Sequence, residues 1–222
     1  MLVKNLPADH VGVGVPARAR DPRTDPELMK ILGQVDGQQE NVVFHAWHVV
    51  FQQVGVEEGQ HHEGVRDGQC ADVVTGGGGS IGSELCRQMC AVVPRRIVIF
   101  DMYENDAYLL KNEILRRYDD IECVVEVGSV CDKERLRAVF TRHRPDVVFH
   151  AAAHKHVPLM ELCPREAIQN NVFGTLNTVL LADEFEVDRF IFISTDKAVN
   201  PTSVMGATKR MGEMVIQHYA QE

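Results

Sequence analysis

From residue 71 onward, short apolar runs alternate with longer segments whose apolar residues recur every three or four positions. Val73-Val74, Ile97–Phe100, Cys123–Val127, Asp146–Ala152 and Phe190–Ile193 read as strands. Glu104–Tyr118, Lys133–His143 and Pro164–Glu184 read as helices, the first with Leu109, Leu110, Ile114 and Leu115 on its apolar side. Asp132, just ahead of Arg135, Leu136 and Val139, fits a helix N-cap. Strand runs with little polar interruption are the pattern of strands covered on both faces. Their alternation with helices predicts an α/β fold: a doubly wound parallel sheet joined by right-handed crossovers.

Residues 1–70 lack that rhythm. Valine, glycine, glutamine and histidine recur there without a sustained period, and five of the ten histidines lie in this stretch. Asp25–Leu32 fits a short helix and Asn41–Val54 fits strands, neither with a visible partner. The expectation is an irregular or weakly folded leader over 1–70 and a dinucleotide-binding domain over 71–222; a bolder alternative is that 1–70 is no natural extension but sequence joined by misannotation or a frame change near residue 72. Only Val73 and Val74 are convincingly apolar in the first strand. Glu222 falls in or just after the last helix, so a truncated C-terminus lacking a substrate-covering region is expected.

Composition narrows the partners. A net charge of −9 without a basic stripe argues against nucleic acid. No apolar stretch approaches the ~20 residues of a membrane span, and no signal peptide is visible, so a cytoplasmic setting is expected. The six cysteines, Cys70, Cys86, Cys90, Cys123, Cys131 and Cys163, show no C-x-x-C spacing and read as reduced thiols, several of them buried; Cys86 and Cys90, four apart on one helix face, fit core packing better than a zinc site.

The first chemical feature is Val73-Val74-Thr75-Gly76-Gly77-Gly78-Gly79-Ser80-Ile81-Gly82. Gly76, Gly79 and Gly82 give G-x-x-G-x-x-G between a strand and a helix. Glycine permits the tight turn and close approach to a pyrophosphate, and the helix N-terminus supplies free N–H groups. Strand–turn–helix context is what raises a glycine run above a flexible loop, and it makes the sheet Rossmann-type. Asp101 ends the next strand, about 25 residues on, close to the spacing of a ribose-binding acid. A carboxylate there accepts from both ribose hydroxyls and repels a 2′-phosphate, favouring NAD over NADP. The competing reading is a cap for the following helix.

The second feature is Ser194–Lys209, Ser-Thr-Asp-Lys-Ala-Val-Asn-Pro-Thr-Ser-Val-Met-Gly-Ala-Thr-Lys, which follows a buried strand. Asn200-Pro201 marks a turn into the helix carrying Lys209. Together with Thr75–Gly82, Asp146–Glu161 and Asn171–Thr175, this stretch resembles the bacterial polysaccharide-biosynthesis dehydratases. These are UDP-N-acetylglucosamine 4,6-dehydratases of the CapD type, extended short-chain dehydrogenases. The resemblance covers roughly residues 73–222. Met205 stands where relatives keep the tyrosine of Tyr-x-x-x-Lys, which matches the family's longer members. Their N-terminal membrane region is not seen in this sequence.

The resemblance implies the following roles. Asp196 is the acid and Lys197 the base at sugar carbon 5, while Thr195 bonds the carbon-4 hydroxyl. Lys209 holds the nicotinamide ribose and eases deprotonation at carbon 4. Met205 cannot exchange a proton, so the tyrosine's task passes to another group or to water. Gly76, Gly79, Ser80, Ile81, Gly82, Asp101 and Ala151 would contact NAD; Lys155, His156 and Asn171 would contact or shape the sugar site. The substrate would be a UDP-sugar, and a homo-oligomer is compatible with the family.

Two departures stand out: His154 replaces a common tyrosine, and Ser129 replaces an aspartate that contacts adenine. His150, His154 and His156 invite a metal, but the cation of Lys155 between two of them disfavours it. Each residue of the reactive cluster also has a structural reading: a solvated Asp-Lys loop pair, a core methionine, an ordinary helix asparagine. A non-catalytic dinucleotide-binding fragment and a nucleotide-sugar epimerase stay open beside the dehydratase. An epimerase would normally keep the tyrosine.

Overall fold

The computed structural model describes Leu2–Val3, residues 71–90 and residues 94–220. The elements expected over Asp25–Leu32 and Asn41–Val54, and Cys70, lie outside the described residues. In chain order the strands are β1 (Leu2–Val3), β2 (Ala71–Thr75), β3 (Arg96–Asp101), β4 (Glu122–Val127), β5 (Val147–His150) and β6 (Arg189–Phe192). The helices are α1 (Ser80–Cys90), α2 (Glu104–Arg117), α3 (Lys133–His143), α4 (Val157–Leu162), α5 (Pro164–Ile168), α6 (Gly174–Glu184) and α7 (Val204–Tyr219). A π turn, Gln169–Phe173, joins α5 to α6.

The sheet order is β1-β6-β5-β2-β3-β4. Five strands run parallel, and β1 adds antiparallel to β6 with Leu2 opposite Ile191. Chain progression reverses between β2 and β5, opening the switch-point crevice where doubly wound folds bind ligands. Both faces are covered, as the apolar runs predict. Val73, Val98, Phe100, Val148, Phe190 and Phe192 pack with Leu136, Phe140, Val179 and Ile216 from α3, α6 and α7. Val74, Ile97, Ile99, Phe149 and Ile191 pack with Leu85, Met89, Leu110 and Ile114 from α1 and α2.

Several local expectations shift. The first strand spans five residues rather than two apolar ones; Ala71 is buried, and its N–H donates to the Asp146 carboxylate at 2.9 Å. On α2 the buried side is Ala107, Leu110 and Ile114, at helical spacing, while Leu109 and Leu115 are exposed. The single helix expected over Pro164–Glu184 carries the π turn in its middle, and α4 precedes it. Cys163 separates α4 from α5 with φ −128° and ψ 58°, because the residue before a proline is pushed out of the helical region. Asp132 caps α3 as expected, accepting from the Arg135 N–H at 2.9 Å.

Cys86, Cys90 and Cys123 are buried free thiols, in keeping with packing roles. Burial pushes Cys90 up to about 12 and Cys123 to about 11, so they stay protonated and unreactive. Among the described residues, no helix is long and apolar enough to cross a membrane.

Candidate active site

At the carboxyl end of β2 the glycine loop turns tightly. Gly76 has φ +69°, and its N–H donates to the Phe100 carbonyl at 2.8 Å. A Cβ on Gly76 would lie 2.6 Å from the Ala152 backbone, and one on Gly82 only 2.0 Å from the Gly76 oxygen. Those two positions require glycine. Gly79 is freer, its nearest neighbour at 3.2 Å. Ser80 and Ile81 open α1 and are exposed, so the amide end of the helix faces outward beside the loop.

Asp101 bonds backbone N–H groups with both carboxylate oxygens. It is buried; one carboxylate oxygen accepts from the Gly78 N–H at 2.8 Å and the other from the Tyr103 N–H at 2.9 Å. The carboxylate therefore braces the glycine loop and the start of α2 at once.

Beside the loop, β5 ends at His150 and the chain runs through residues 151–156. The Ala151 N–H donates to the Thr75 carbonyl at 2.9 Å. Asn171 pins this segment: its side-chain oxygen accepts from the His154 N–H at 2.8 Å, and its amide donates to the His154 carbonyl at 3.0 Å. The same amide donates to Thr208 on α7 at 3.0 Å. The π turn carries Asn171 inward between these partners, a common use of such turns. Lys155 and His156 are exposed. Among the described residues, no group of three or more His, Cys, Asp or Glu side chains is arranged to hold a metal ion.

After β6 the chain forms a 3₁₀ turn over Asp196–Ala198. The Thr195 hydroxyl donates to Asp196 at 2.8 Å, and the Lys197 ammonium lies 3.2 Å from the same oxygen. Burial acts to raise the Asp196 carboxyl, but the bonds from Thr195 and Lys197 outweigh it and hold the group below the usual range. Asp196 and Lys197 are exposed, reachable from outside. Gly206 lets α7 close on this turn; a Cβ there would lie 2.3 Å from the Lys197 carbonyl oxygen.

Lys209 is buried, and its ammonium donates to the Ile193 carbonyl at 2.6 Å while lying 4.0 Å from the Phe192 ring centre. Burial pulls it down to about 7, with Glu213 working the other way. Met205 is buried against Met160 and Ala167, an apolar setting that suits packing.

Ala151 bonds the strand that leads into the cradle, Asn171 ties the 151–156 segment to α7, and Lys209 on α7 bonds Ile193, two residues ahead of Thr195. Sequence reasoning missed several members of the site. Glu213 is fully buried, accepts from the Ser194 hydroxyl at 2.6 Å and pairs with Arg210 at 2.9 Å. Its position four residues after Lys209, on the same helix face, was the available signal. His150, set aside once a metal was disfavoured, proves to be bonded at both ring nitrogens. Glu161 accepts from the Val204 N–H at the start of α7 at 2.7 Å.

Residues 73–222 match the family described as polysaccharide biosynthesis protein. The chain is 52% identical over 146 residues to a capsular polysaccharide biosynthesis protein, CapD, from Staphylococcus aureus, covering 65% of this chain and 24% of that protein. It is 37% identical to an inverting UDP-N-acetylglucosamine 4,6-dehydratase from Campylobacter jejuni, covering 62% of this chain and 40% of the relative. Among solved structures, a UDP-glucose 4-epimerase from Thermotoga maritima superposes with a TM-score of 0.59 at 27% identity, over 68% of this chain and 52% of the other. The chain spans between a quarter and two fifths of the length of these two curated relatives.

Proposed function

The chain belongs to the polysaccharide biosynthesis protein family, and from that premise we propose that it carries the dinucleotide-binding and catalytic half of a nucleotide-sugar 4,6-dehydratase. The observation that carries this reading is the Thr195–Asp196–Lys197 cluster, held on the same sheet end as a glycine cradle that leaves no room for a side chain at Gly76 or Gly82. The cradle and the first amides of α1 would take the pyrophosphate, with Ser80 and Ile81 at the helix start. Asp101 would meet the adenosine ribose and repel a 2′-phosphate, favouring NAD over NADP. Ala151 would line the same crevice, and Lys209 would bond the nicotinamide ribose. Lys155, His156 and Asn171 would border a UDP-sugar.

A bound dinucleotide would supply hydride storage between sugar carbon 4 and carbon 6, with none consumed. The protein's own residues manage the protons. Asp196 starts ionised, held so by Thr195 and Lys197. Thr195 passes the carbon-4 hydroxyl proton to that carboxylate through the bond it already makes, which replaces the tyrosine that Met205 displaces. The new ketone acidifies carbon 5, and Lys197, once its ammonium has released a proton to solvent, takes that proton as the free amine. Asp196, now protonated, donates to the hydroxyl leaving carbon 6 as water. Lys197 then returns a proton to carbon 5, and with the hydride that a bound dinucleotide would give back, the sum is loss of one water. The charge of Lys209 favours the alkoxide developing at carbon 4.

An epimerase is the second reading, favoured by the Thermotoga maritima superposition and by UDP-glucose 4-epimerases among the sequence relatives. Met205, buried and without a proton to exchange, speaks against it. The test is Asp196→Asn and Lys197→Ala in a full-length protein containing this segment. Both should abolish dehydration, and turnover at the parent rate in either variant refutes the assignment.

A further inference from the structure

His150 is fully buried at the end of β5, stacked on Phe192 with ring centres 5.7 Å apart and tilted against Phe190 at 6.0 Å. Its Nδ1 lies 2.7 Å from the Thr75 hydroxyl and its Nε2 lies 2.9 Å from the Thr175 hydroxyl. Neither threonine belongs to the same element as the histidine. Thr75 is the last residue of β2, next to Gly76; Thr175 lies in the first turn of α6.

The partners fix where the protons sit. The Thr175 hydroxyl donates to the Asn171 carbonyl at 2.7 Å, and a carbonyl only accepts. Its one hydrogen is therefore used, and it must accept from His150. Nε2 carries the hydrogen. Nδ1 is then the bare nitrogen, provided the ring is neutral, and Thr75 donates to it. Burial, and secondarily the charge of Lys209, pull the ring down to about 3, so it is neutral at ordinary pH. The direction runs one way: Thr75 to His150, His150 to Thr175, Thr175 to Asn171.

Asn171 extends the chain. Its oxygen accepts from the His154 and Asn170 nitrogens, its amide donates to His154 and Thr208, and Thr208 donates to the Met205 carbonyl at 2.7 Å. A buried polar network satisfied at every member is rigid and admits one arrangement. It links the mouth of the glycine loop with the segment at residue 154 and with the helix carrying Lys209.

We propose that His150 is a positioning residue for the dinucleotide site: fixed as the Nε2–H tautomer, it couples the glycine loop to Asn171 and, through Asn171, to the 151–156 segment and α7. The proposal rests on the dinucleotide reading for its consequence, not for its geometry.

The test begins without any cofactor. In the ¹⁵N-labelled full chain, long-range ¹H–¹⁵N correlations at neutral pH should show the His150 ring with Nε2 protonated and Nδ1 bare. The opposite tautomer, or an imidazolium, overturns the proposal. Thr75→Val removes the donor to Nδ1, whereas Thr75→Ser keeps it. Thr75→Val should shift the Asn171 side-chain amide and the His154 backbone amide, and Thr75→Ser should leave both near their original positions. Unmoved resonances in Thr75→Val also overturn it, and these signals separate a failed coupling from a failed dinucleotide reading. Calorimetry with NAD then measures the consequence: affinity falls roughly tenfold in Thr75→Val and is retained in Thr75→Ser. Equal affinity in the two variants counts against the coupling.

Discussion

Replacing Lys209 with methionine should make the protein more stable, and the gain should depend on pH. The lysine is buried and falls from an ordinary 10.5 to about 7, first through burial, with Glu213 opposing. At ~1.4 kcal/mol per tenfold change in a protonation equilibrium, that fall sets the buried charge at about 5 kcal/mol against folding. Methionine has similar length and no charge, but it abandons the bond to the Ile193 carbonyl, which offsets about 1–2 kcal/mol. Glu213 keeps Arg210 and Ser194 as partners, so it is not stranded. The net gain at neutral pH is then about 3 kcal/mol. The sign follows from the depressed value: below about 7 both folded and unfolded chains hold the proton and the full cost stands. The cost fades as pH rises from about 7 to 10.5, where both states are neutral. Urea unfolding of the parent and Lys209→Met between about pH 6 and pH 10 reads this directly. A stability difference that is flat with pH, or that grows as pH rises, refutes the reasoning. A lysine this costly to bury is the kind of strain that functional sites retain.

Two further outcomes follow from packing and charge. Gly82→Ala places a carbon 2.0 Å from the Gly76 oxygen, so the loop must move; it should cost about 3 kcal/mol in unfolding and remove NAD binding, whereas Gly79→Ala, whose added carbon lies 3.2 Å from the same oxygen, should cost less in unfolding. Glu126 is buried on β4; burial alone would raise it, but bonds from His143, Arg135 and Arg142 bring it to about 2. Its folded value is depressed, so its contribution is complete above about pH 4.5 and is lost as pH falls towards 2. Glu126→Gln should therefore lose about 3 kcal/mol at neutral pH, and the two proteins should converge near pH 2 in acid unfolding.

The sheet was legible because its signals are local: apolar runs such as Ile97–Phe100, a glycine turn after Val74, and a capping aspartate at 132 each sit within a few residues of what they determine. The helix start at Pro164 was legible too, since the residue before a proline is pushed out of the helical region, whereas the short Val157–Leu162 helix went unread. The π turn is set by tertiary demands on Asn171 and has no short-range mark. The His150 network joins residues 75 positions apart, and no periodicity records such a pairing. Glu126 drew no reading, because composition says nothing of the arginines that pair with it. For the reactive cluster, spacing and resemblance located Thr195, Asp196 and Lys197 together. The downward shift of Asp196, and with it the order of proton transfers, came only from the distances.

The most direct test of the account is to incubate a full-length protein containing this segment with NAD and UDP-N-acetylglucosamine in heavy water and to weigh the product. Dehydration predicts loss of one water, one solvent deuterium fixed at carbon 5, and NAD recovered in its oxidised form. A product of unchanged mass, inverted at carbon 4 and free of deuterium, would show an epimerase and contradict the account.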